Sequence, residues 1–562
     1  MLLKIKLAKW SEQIRFCDIG MAIVMSFFVL SCTTLPPKSI DTPLTQARVE
    51  HREGRDWLGK NWLGNEGGLP VLYLTGTAFE MGYANGVLTQ KALHRHEDAL
   101  LNAFQSKVPG AWRRYLIRKY IMFKTRNLGK YIREEHQQEM LGASQGCPDT
   151  HPELESQYRR IMLYHASEEM LRQFTAKPTV GGCTTFGAGP GVTADGHLIC
   201  ARNFDLPIMK SMDGASMLDE IRLVVICQPD VGIPFVSVAW AGMVGSVSGM
   251  NQAGISVVVN AAPSLLPKGG GTPSCLVARQ ILQHARTMEE AIAIVRDSVP
   301  LGSGLYIIGS ATDGRFVVVE RTREKISVRE ETNGYVVCAN HFVDAGQGKY
   351  AKDMNFPVDE TSAPRFARAE QLVSQVTGHL DPATAVNILR DSHLSDGRFV
   401  GFGHLNALCG YITAHAVTMD LTTRTLWVSK PPHQLGAFIP FDVGNLRAAS
   451  AGQTLPADAR LASGAFARHQ EAEKALKVGR LALSNNDFDN ALVLSLKAEE
   501  LNPGFYGNTW LTGKAWLSKG GPSITNALPF LLESLKRSPP YQHETLTIRA
   551  EVEQAQALRS GK

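Results

Sequence analysis

From Gly181 onward the chain is built of short apolar runs punctuated by Gly, Asp-Gly and Asn-Gly, and that texture predicts antiparallel sheet. Strand-like runs fall at His197–Asn203, Arg222–Gln228, Pro234–Trp240, Ser256–Asn260, Leu305–Ile308, Phe316–Glu320, Tyr335–Cys338, Tyr411–Asp420 and Thr425–Val428. Helical spacing of apolar residues interrupts them at Cys275–Asp297, Arg365–Val376 and Pro382–Asp391. Strands with inserted helix pairs predict an α+β domain built in layers. Upstream, Leu72-Tyr73-Leu74 reads as a strand that leads through the segment from Gly76 to Gly86 into helical periodicity as far as about Phe174, broken at Pro109-Gly110.

A different, wholly helical texture begins near Ala465. Gly479, Ala491, Ala498 and Pro503 fall at the spacing of a tetratricopeptide repeat, and Gly513, Ala527, Ser534 and Pro539 repeat it with a small insertion. Small residues suit helices that touch closely, and proline ends the second helix of a pair. Two repeats seldom stand alone, so they are expected to pack on the preceding domain or against a terminal helix from Tyr541 onward. They offer a surface for a protein partner. Between Trp112 and Arg133, Arg113, Arg114, Arg118, Lys119, Lys124 and Lys130 interleave with Tyr115, Tyr120 and Phe123. That stretch suits either an anionic lipid surface or a packed helix with a solvated basic face.

A chain of 562 residues exceeds one ordinary core, and its 44% hydrophobic and 20% charged residues mark it as globular. The net charge of +5 is too small and too dispersed to argue for nucleic acid as a partner. The N-terminus says more. Lys4, Lys6, Lys9 and Arg15 precede an apolar run from Ile19 to Leu30, too short to span a bilayer as a stable helix. The sequence Val29-Leu30-Ser31-Cys32 resembles the bacterial lipobox, which implies that residues 1–31 are a signal peptide and that Cys32 is lipidated. Thr33, where inner-membrane retention would place Asp, implies the outer membrane by resemblance to Gram-negative lipoproteins. Residues 32–70 then read as a tether.

Nine cysteines are present, and no two are spaced as CxxC, so a zinc knuckle or a thioredoxin-like redox site has no support. Cys200, Cys227 and Cys338 sit inside strand-like runs, where a buried free thiol is commoner than a disulfide. No disulfide framework is expected.

The chemistry concentrates around Cys183. Asp195-Gly196 is a hairpin signal between two strand-like arms, and folding about it returns the chain from about Arg202 to Ile208 beside Cys183. A thiol, a guanidinium and a carboxylate therefore converge. An internal thiol, with a pKa of about 8.5, needs a base. His197 falls on the face opposite Arg202 by alternation and does not supply one. If the bond between Gly182 and Cys183 is cut, the new α-amine, with a pKa of about 7.7–8.0, takes the thiol's proton directly.

These residues resemble the penicillin (isopenicillin N) acyltransferase family of N-terminal-nucleophile hydrolases and, more distantly, choloylglycine hydrolase, over roughly Leu72 to Phe441. Gly182-Cys183-Thr184-Thr185 is similar to the family's processing site, and Arg202-Asn203-Phe204-Asp205 to its motif of Arg or Gln, Asn, an aromatic residue and Asp. Gly249-Met-Asn-Gln-Ala-Gly254 followed by the run to Asn260 resembles the turn and strand that present an oxyanion-hole Asn. Val337-Cys-Ala-Asn340-His-Phe342 resembles the Thr-Asn-His-Phe segment. Ser362-Ala-Pro-Arg365-Phe-Ala-Arg368 is similar to the Ser-Arg-Phe-x-x-Arg stretch, with Arg365 as the better match to its active-site arginine.

The resemblance implies a four-layer αββα sandwich with antiparallel sheets, divided into a helical first part (71–182) and a catalytic part (183–445), followed by the repeats (465–562). It implies that Cys183 is the nucleophile, that Asp205 holds its α-amine and that Arg202 orients the thiolate. It further implies that Asn260 and Asn340 hold the oxyanion, that the substrate is a small acyl amide, and that neither metal nor organic cofactor takes part. Two other readings stay open: a lipid deacylase of the phospholipase B-like kind, and a non-catalytic envelope scaffold acting through the C-terminal repeats.

Overall fold

A computed structural model describes residues 36–167, 169–170, 182–206, 221–262, 270–344, 360–446 and 452–559. The signal segment 1–31 and Cys32 lie outside the described residues.

Two sheets carry the catalytic region. The first has eleven strands in the order Glu50–Arg52, Arg55–Leu58, Asn61–Glu66, Leu69–Gly76, Arg222–Pro229, Phe235–Trp240, Ser248–Asn251, Ile255–Ala261, Gly304–Ser310, Arg315–Arg321 and Ile326–Glu330. Its neighbours are antiparallel except where Leu69–Gly76 lies parallel to Arg222–Pro229. The second has six antiparallel strands in the order Tyr335–Cys338, Cys183–Ala188, Ile199–Asp205, Thr413–Asp420, Thr425–Ser429 and Phe438–Asp442.

The strands form where alternation has an apolar set for each face. Val71, Val224, Val258 and Val318 of the first sheet meet Cys200, Val336, Val417 and Leu426 of the second in one buried layer between the sheets. Leu72, Val225, Val257 and Ile308 turn to the other face of the first sheet, against Met81, Ile281 and Val295 of the helices Ala78–Leu88, Ser274–His284 and Met288–Asp297. Phe186, Ala201 and Ala416 turn outward from the second sheet, against Val373 and Leu389 of Ser362–Gln375 and Pro382–Leu389. The result is the expected αββα sandwich. Each fully buried aliphatic side chain contributes roughly 1.5–3 kcal/mol.

The first helical part is locked by a close crossing. Helix Ala78–Leu88 starts with a capping box between Thr77 and Glu80 and crosses Glu134–Gly146 backbone to backbone. A methyl group at Gly82 would overlap the carbonyl of Glu139, and one at Gly142 the carbonyl of Phe79, so only glycine permits the approach. Helix Ala111–Lys124, the basic stretch, has no buried residue, and Trp112 and Tyr115 stack on each other at 5.6 Å in the open.

Part of the stretch read as a tether is sheet. Residues 50–66 contribute three strands at the end of the first sheet, with Trp62 stacked on Tyr73 at 5.7 Å and Arg55 over the Trp62 ring at 4.0 Å. Their polar, exposed positions hid the alternation; all three residues of Glu50–Arg52 are exposed.

The C-terminal region is helical: Ala465–Ser484, Phe488–Leu501, Tyr506–Lys519, Ile524–Lys536 and Gln542–Arg559. Leu531 and Ala527 pack on Ile548, Val552 and Ala555 of the terminal helix. The region is also tied to the catalytic part, because the Asn502 side chain accepts from Phe402 N (2.9 Å) and donates to Phe402 O (3.0 Å). Among the described residues no helix is long and apolar enough to cross a membrane.

Candidate active site

The hairpin of Cys183–Ala188 and Ile199–Asp205 turns near Gly196, whose φ of 78° favours glycine. Its register sets Cys183 opposite Phe204 and Thr185 opposite Arg202. Directly opposed residues share a face, so Cys183 and Arg202 project together into the space between the sheets. The carboxyl end of the hairpin closes on the start of the other arm, with Asp205 N donating to Gly182 O at 2.8 Å.

Cys183 is buried, and its own atoms meet separate polar groups. Its sulfur accepts from Arg202 Nη2 at 3.4 Å. Its backbone N donates to Asn340 Oδ1 at 2.6 Å. Its carbonyl accepts from Arg365 Nη1 at 2.8 Å. Arg365 also reaches Thr184 Oγ1 (2.9 Å) and Asn340 Oδ1 (3.0 Å). Asp205 Oδ1 accepts from Thr413 Oγ1 at 2.6 Å. Two guanidinium groups thus flank the sulfur's residue, a field that favours thiolate over thiol.

Arg202 is fully buried and held on several sides. Nη1 donates to Val247 O and to Ser248 Oγ (2.6 Å), while Nη2 donates to Val259 O as well as to the sulfur. Its guanidinium lies over the Phe204 ring at 4.7 Å.

The two asparagines differ in what they do. Asn340 turns its oxygen to Cys183 N and Arg365, while Nδ2 donates to Ala261 O at 2.9 Å. Its backbone is fixed by Asn340 N donating to Ser362 Oγ at 2.7 Å. Asn260, expected to present a donor for an oxyanion, directs Nδ2 at the carbonyls of Cys338 (3.3 Å) and Ala339 (3.0 Å) and accepts from Thr185 Oγ1 at 3.1 Å. Both amide protons are committed, so in this geometry Asn260 braces the strand end that carries Asn340.

Sequence reasoning missed Ser248, Thr413 and His415. A bulge between Thr413 and His415 shifts the register, so that Thr413 sits opposite Asp205 and His415 opposite Phe204. His415 is fully buried, stacks on Phe204 at 5.0 Å, and its Nε2 lies 2.9 Å from Ser248 Oγ. Burial, followed by the charges of Arg202 and Arg222, holds its pKa well below the usual 6.5. Thr413, His415, Thr418 and Asp420 are all polar and all buried in the strand Thr413–Asp420, and nothing in their spacing singles out the two that reach the site.

The other thiols are different in kind. Burial pushes Cys200, Cys227, Cys338 and Cys409 up to about 12 and Cys147 to about 11. No disulfide is formed among the described cysteines. Among the described residues no group of three or more His, Cys, Asp or Glu side chains is arranged to hold a metal ion.

Residues 192–400 match the family model described as acyl-coenzyme A:6-aminopenicillanic acid acyl-transferase. The matched stretch takes in Arg202, Asp205, Asn260, Asn340 and Arg365, and Cys183 lies just before it. The match therefore takes in the second arm of the hairpin and the later segments that carry Asn260, Asn340 and Arg365. An uncharacterized protein of Archaeoglobus fulgidus is 26% identical over 322 residues, 50% of this chain and 51% of that protein. The chain spans about half the length of that curated relative. Among solved structures, a Caenorhabditis elegans N-acylethanolamine-hydrolyzing acid amidase ortholog aligns with 18% identity and a TM-score of 0.32, covering 43% of this chain and 93% of that one. A mutant of conjugated bile acid hydrolase from Clostridium perfringens aligns with 13% identity and a TM-score of 0.34 (48% and 95%). Penicillin V acylase from Agrobacterium tumefaciens aligns with 16% and 0.31 (48% and 94%).

Proposed function

We propose that this chain is an N-terminal-nucleophile amidohydrolase or acyltransferase that cuts itself between Gly182 and Cys183 and then uses Cys183 on acyl amides. The observation that carries the reading is the division of labour around one residue. The sulfur of Cys183 meets Arg202, its nitrogen meets Asn340, and the carbonyl before it meets Asp205 N.

In the uncut chain the thiol attacks the carbonyl carbon of Gly182. The new C–S bond forms as the peptide C–N bond breaks, and the departing nitrogen takes a proton to become the α-amine of Cys183. Negative charge develops on Gly182 O, where Asp205 N already donates. Water then opens the thioester, leaving the Gly182 carboxylate and a restored thiol.

In turnover the α-amine takes the thiol's proton and the thiolate attacks the substrate's acyl carbon. The α-ammonium returns the proton to the leaving amine, and water or a second amine takes the acyl group from sulfur. Arg202 favours the thiolate by charge. Asn340 Nδ2, which has a second proton besides the one given to Ala261 O, is the side-chain donor for the oxyanion.

The Lys-rich start, the short apolar run and Ser31-Cys32 support export and lipid attachment at Cys32, which would anchor the protein in the bacterial outer membrane. The C-terminal helices are then a surface for a protein partner in the envelope.

The test is N-terminal sequencing with intact mass on the purified full chain. The expected result is a fragment beginning Cys-Thr-Thr-Phe that is absent from Cys183→Ala, together with release of amine from acyl amides. An intact bond between residues 182 and 183 in active protein would overturn it. Cleavage of lysophospholipids with no amide hydrolysis would assign the enzyme to lipid deacylation instead.

A further inference from the structure

Arg202 is the group that touches the sulfur, and its orientation depends on Ser248 and, behind it, His415. A guanidinium only donates, so Ser248 Oγ accepts from Arg202 Nη1 at 2.6 Å. The single hydroxyl proton of Ser248 must then point elsewhere, and His415 Nε2 stands 2.9 Å away. If the serine proton goes to Nε2, the ring's own proton sits on Nδ1, which has no hydrogen-bond partner among the described residues.

The ring is held in place on both sides of this contact. It stacks on Phe204 at 5.0 Å, and Trp240 lies 5.9 Å away. Its backbone is placed by the bulge beside Ala414, whose carbonyl accepts from buried Arg222 Nη1 at 2.9 Å. Burial, and after it the charges of Arg202 and Arg222, disfavour the doubly protonated, cationic ring. A cationic ring would turn an N–H toward Ser248 and compete with Arg202 for the same oxygen.

We propose that Ser248 and His415 are a positioning pair for Arg202: neutral His415 takes the serine proton, the serine oxygen stays on Nη1, and an Nη2 proton stays on the sulfur of Cys183. The proposal rests on the reading of Cys183 as the nucleophile. Neither residue touches substrate, and their effect is to hold a charge-assisted hydrogen bond in register with the thiolate. Removing one such bond lowers the thiolate fraction and the rate, and leaves the substrate pocket intact.

The experiment uses the processed full chain and measures the pH profile of Cys183 alkylation by iodoacetamide, with kcat and KM on one acyl amide. His415→Phe keeps a ring against Phe204 but removes the acceptor, and Ser248→Ala removes the oxygen. Each is expected to move the alkylation midpoint up by about one pH unit and to lower kcat about tenfold, with KM changed less than about twofold. His415→Gln, which returns an acceptor near the position of Nε2, is expected to recover most of both.

A wild-type profile in His415→Phe overturns the proposal, and so does a His415→Gln variant as impaired as His415→Phe, which would mean that the ring matters only as packing. If His415→Phe does not fold, Ser248→Ala carries the same measurement, and a wild-type profile there overturns it. Failure at the earlier level looks different. A wild-type protein that neither cleaves at Gly182 nor loses activity when Cys183 is alkylated removes the nucleophile itself, and the positioning pair with it.

Discussion

Gly182 lies against the guanidinium of Arg365. A methyl group built on the glycine would overlap Nη2 and stand 3.0 Å from Asn340 Oδ1. The residue before the proposed cut is thus confined by the same two side chains that hold the carbonyl and nitrogen of Cys183. Gly182→Ala should displace Arg365 and misplace the carbonyl to be attacked. Self-cleavage is expected to slow at least about tenfold, a loss equivalent to about 1.4 kcal/mol in the barrier. A time course of fragment appearance on denaturing gels checks it, and cleavage at the parental rate would show that Arg365 yields freely.

Thr413→Val removes the hydroxyl that donates to Asp205 Oδ1 while keeping the shape of the side chain. The loss of one hydrogen bond to a carboxylate, worth about 1.5 kcal/mol, should cost roughly tenfold in kcat. The melting temperature is expected to change little. Steady-state kinetics beside a thermal melt separate the two effects.

Thiol-specific labelling should pick out Cys183. Burial holds the thiols of Cys200, Cys227, Cys338 and Cys409 near 12, so they stay protonated at pH 8 as well as shielded. Among the described cysteines, peptide mapping after brief iodoacetamide treatment at pH 8 should find Cys183 modified first. Equal labelling of Cys200, on the other arm of the same hairpin opposite Gly187, would count against an activated sulfur.

Buried histidines set an acid limit on stability. Burial lowers His136 from 6.5 to about 3, and His165 and His404 to about 4. The unfolded chain binds these protons near pH 6.5 and the folded chain does not. Stability should therefore be complete above about pH 6.5 and fall as the pH drops from there toward 4, by on the order of 1.4 kcal/mol per histidine for each pH unit. Both ring nitrogens of His136 lack partners among the described residues. His136→Phe is accordingly expected to flatten the decline in melting temperature between pH 6.5 and 4.

Much of the site was legible because its centre is one hairpin. Cys183, Arg202 and Asp205 are brought together by a local turn, and the turn is written in Asp195-Gly196. Asn340 and Arg365 were legible only through their resemblance to a known pattern, since nothing local connects them to Cys183. The contact of Ser248 with His415 spans 167 residues and joins strands of different sheets, and no periodicity within either strand announces it. The direction of the Asn260 amide was illegible for a related reason: a sequence places an amide at a strand end, but which carbonyls it meets depends on the neighbouring strand. At the level of the fold, the nine apolar runs named as strands lie in strands of the two sheets, whereas the short buried strands Ser248–Asn251 and Phe438–Asp442 went unnamed and the polar strands of residues 50–66 were taken for a linker because few of their positions meet the core.

The parallel pairing of Leu69–Gly76 with Arg222–Pro229 joins the two pieces that a cut after Gly182 would create. Register runs from Val71 opposite Val224 to Gly76 opposite Pro229, in the interior of the eleven-stranded sheet. Parting the pieces would strip that ladder and leave two raw edges in water. On the proposed cut and the proposed lipid at Cys32, that ladder would moor the second piece to the anchored first with no covalent bond between them.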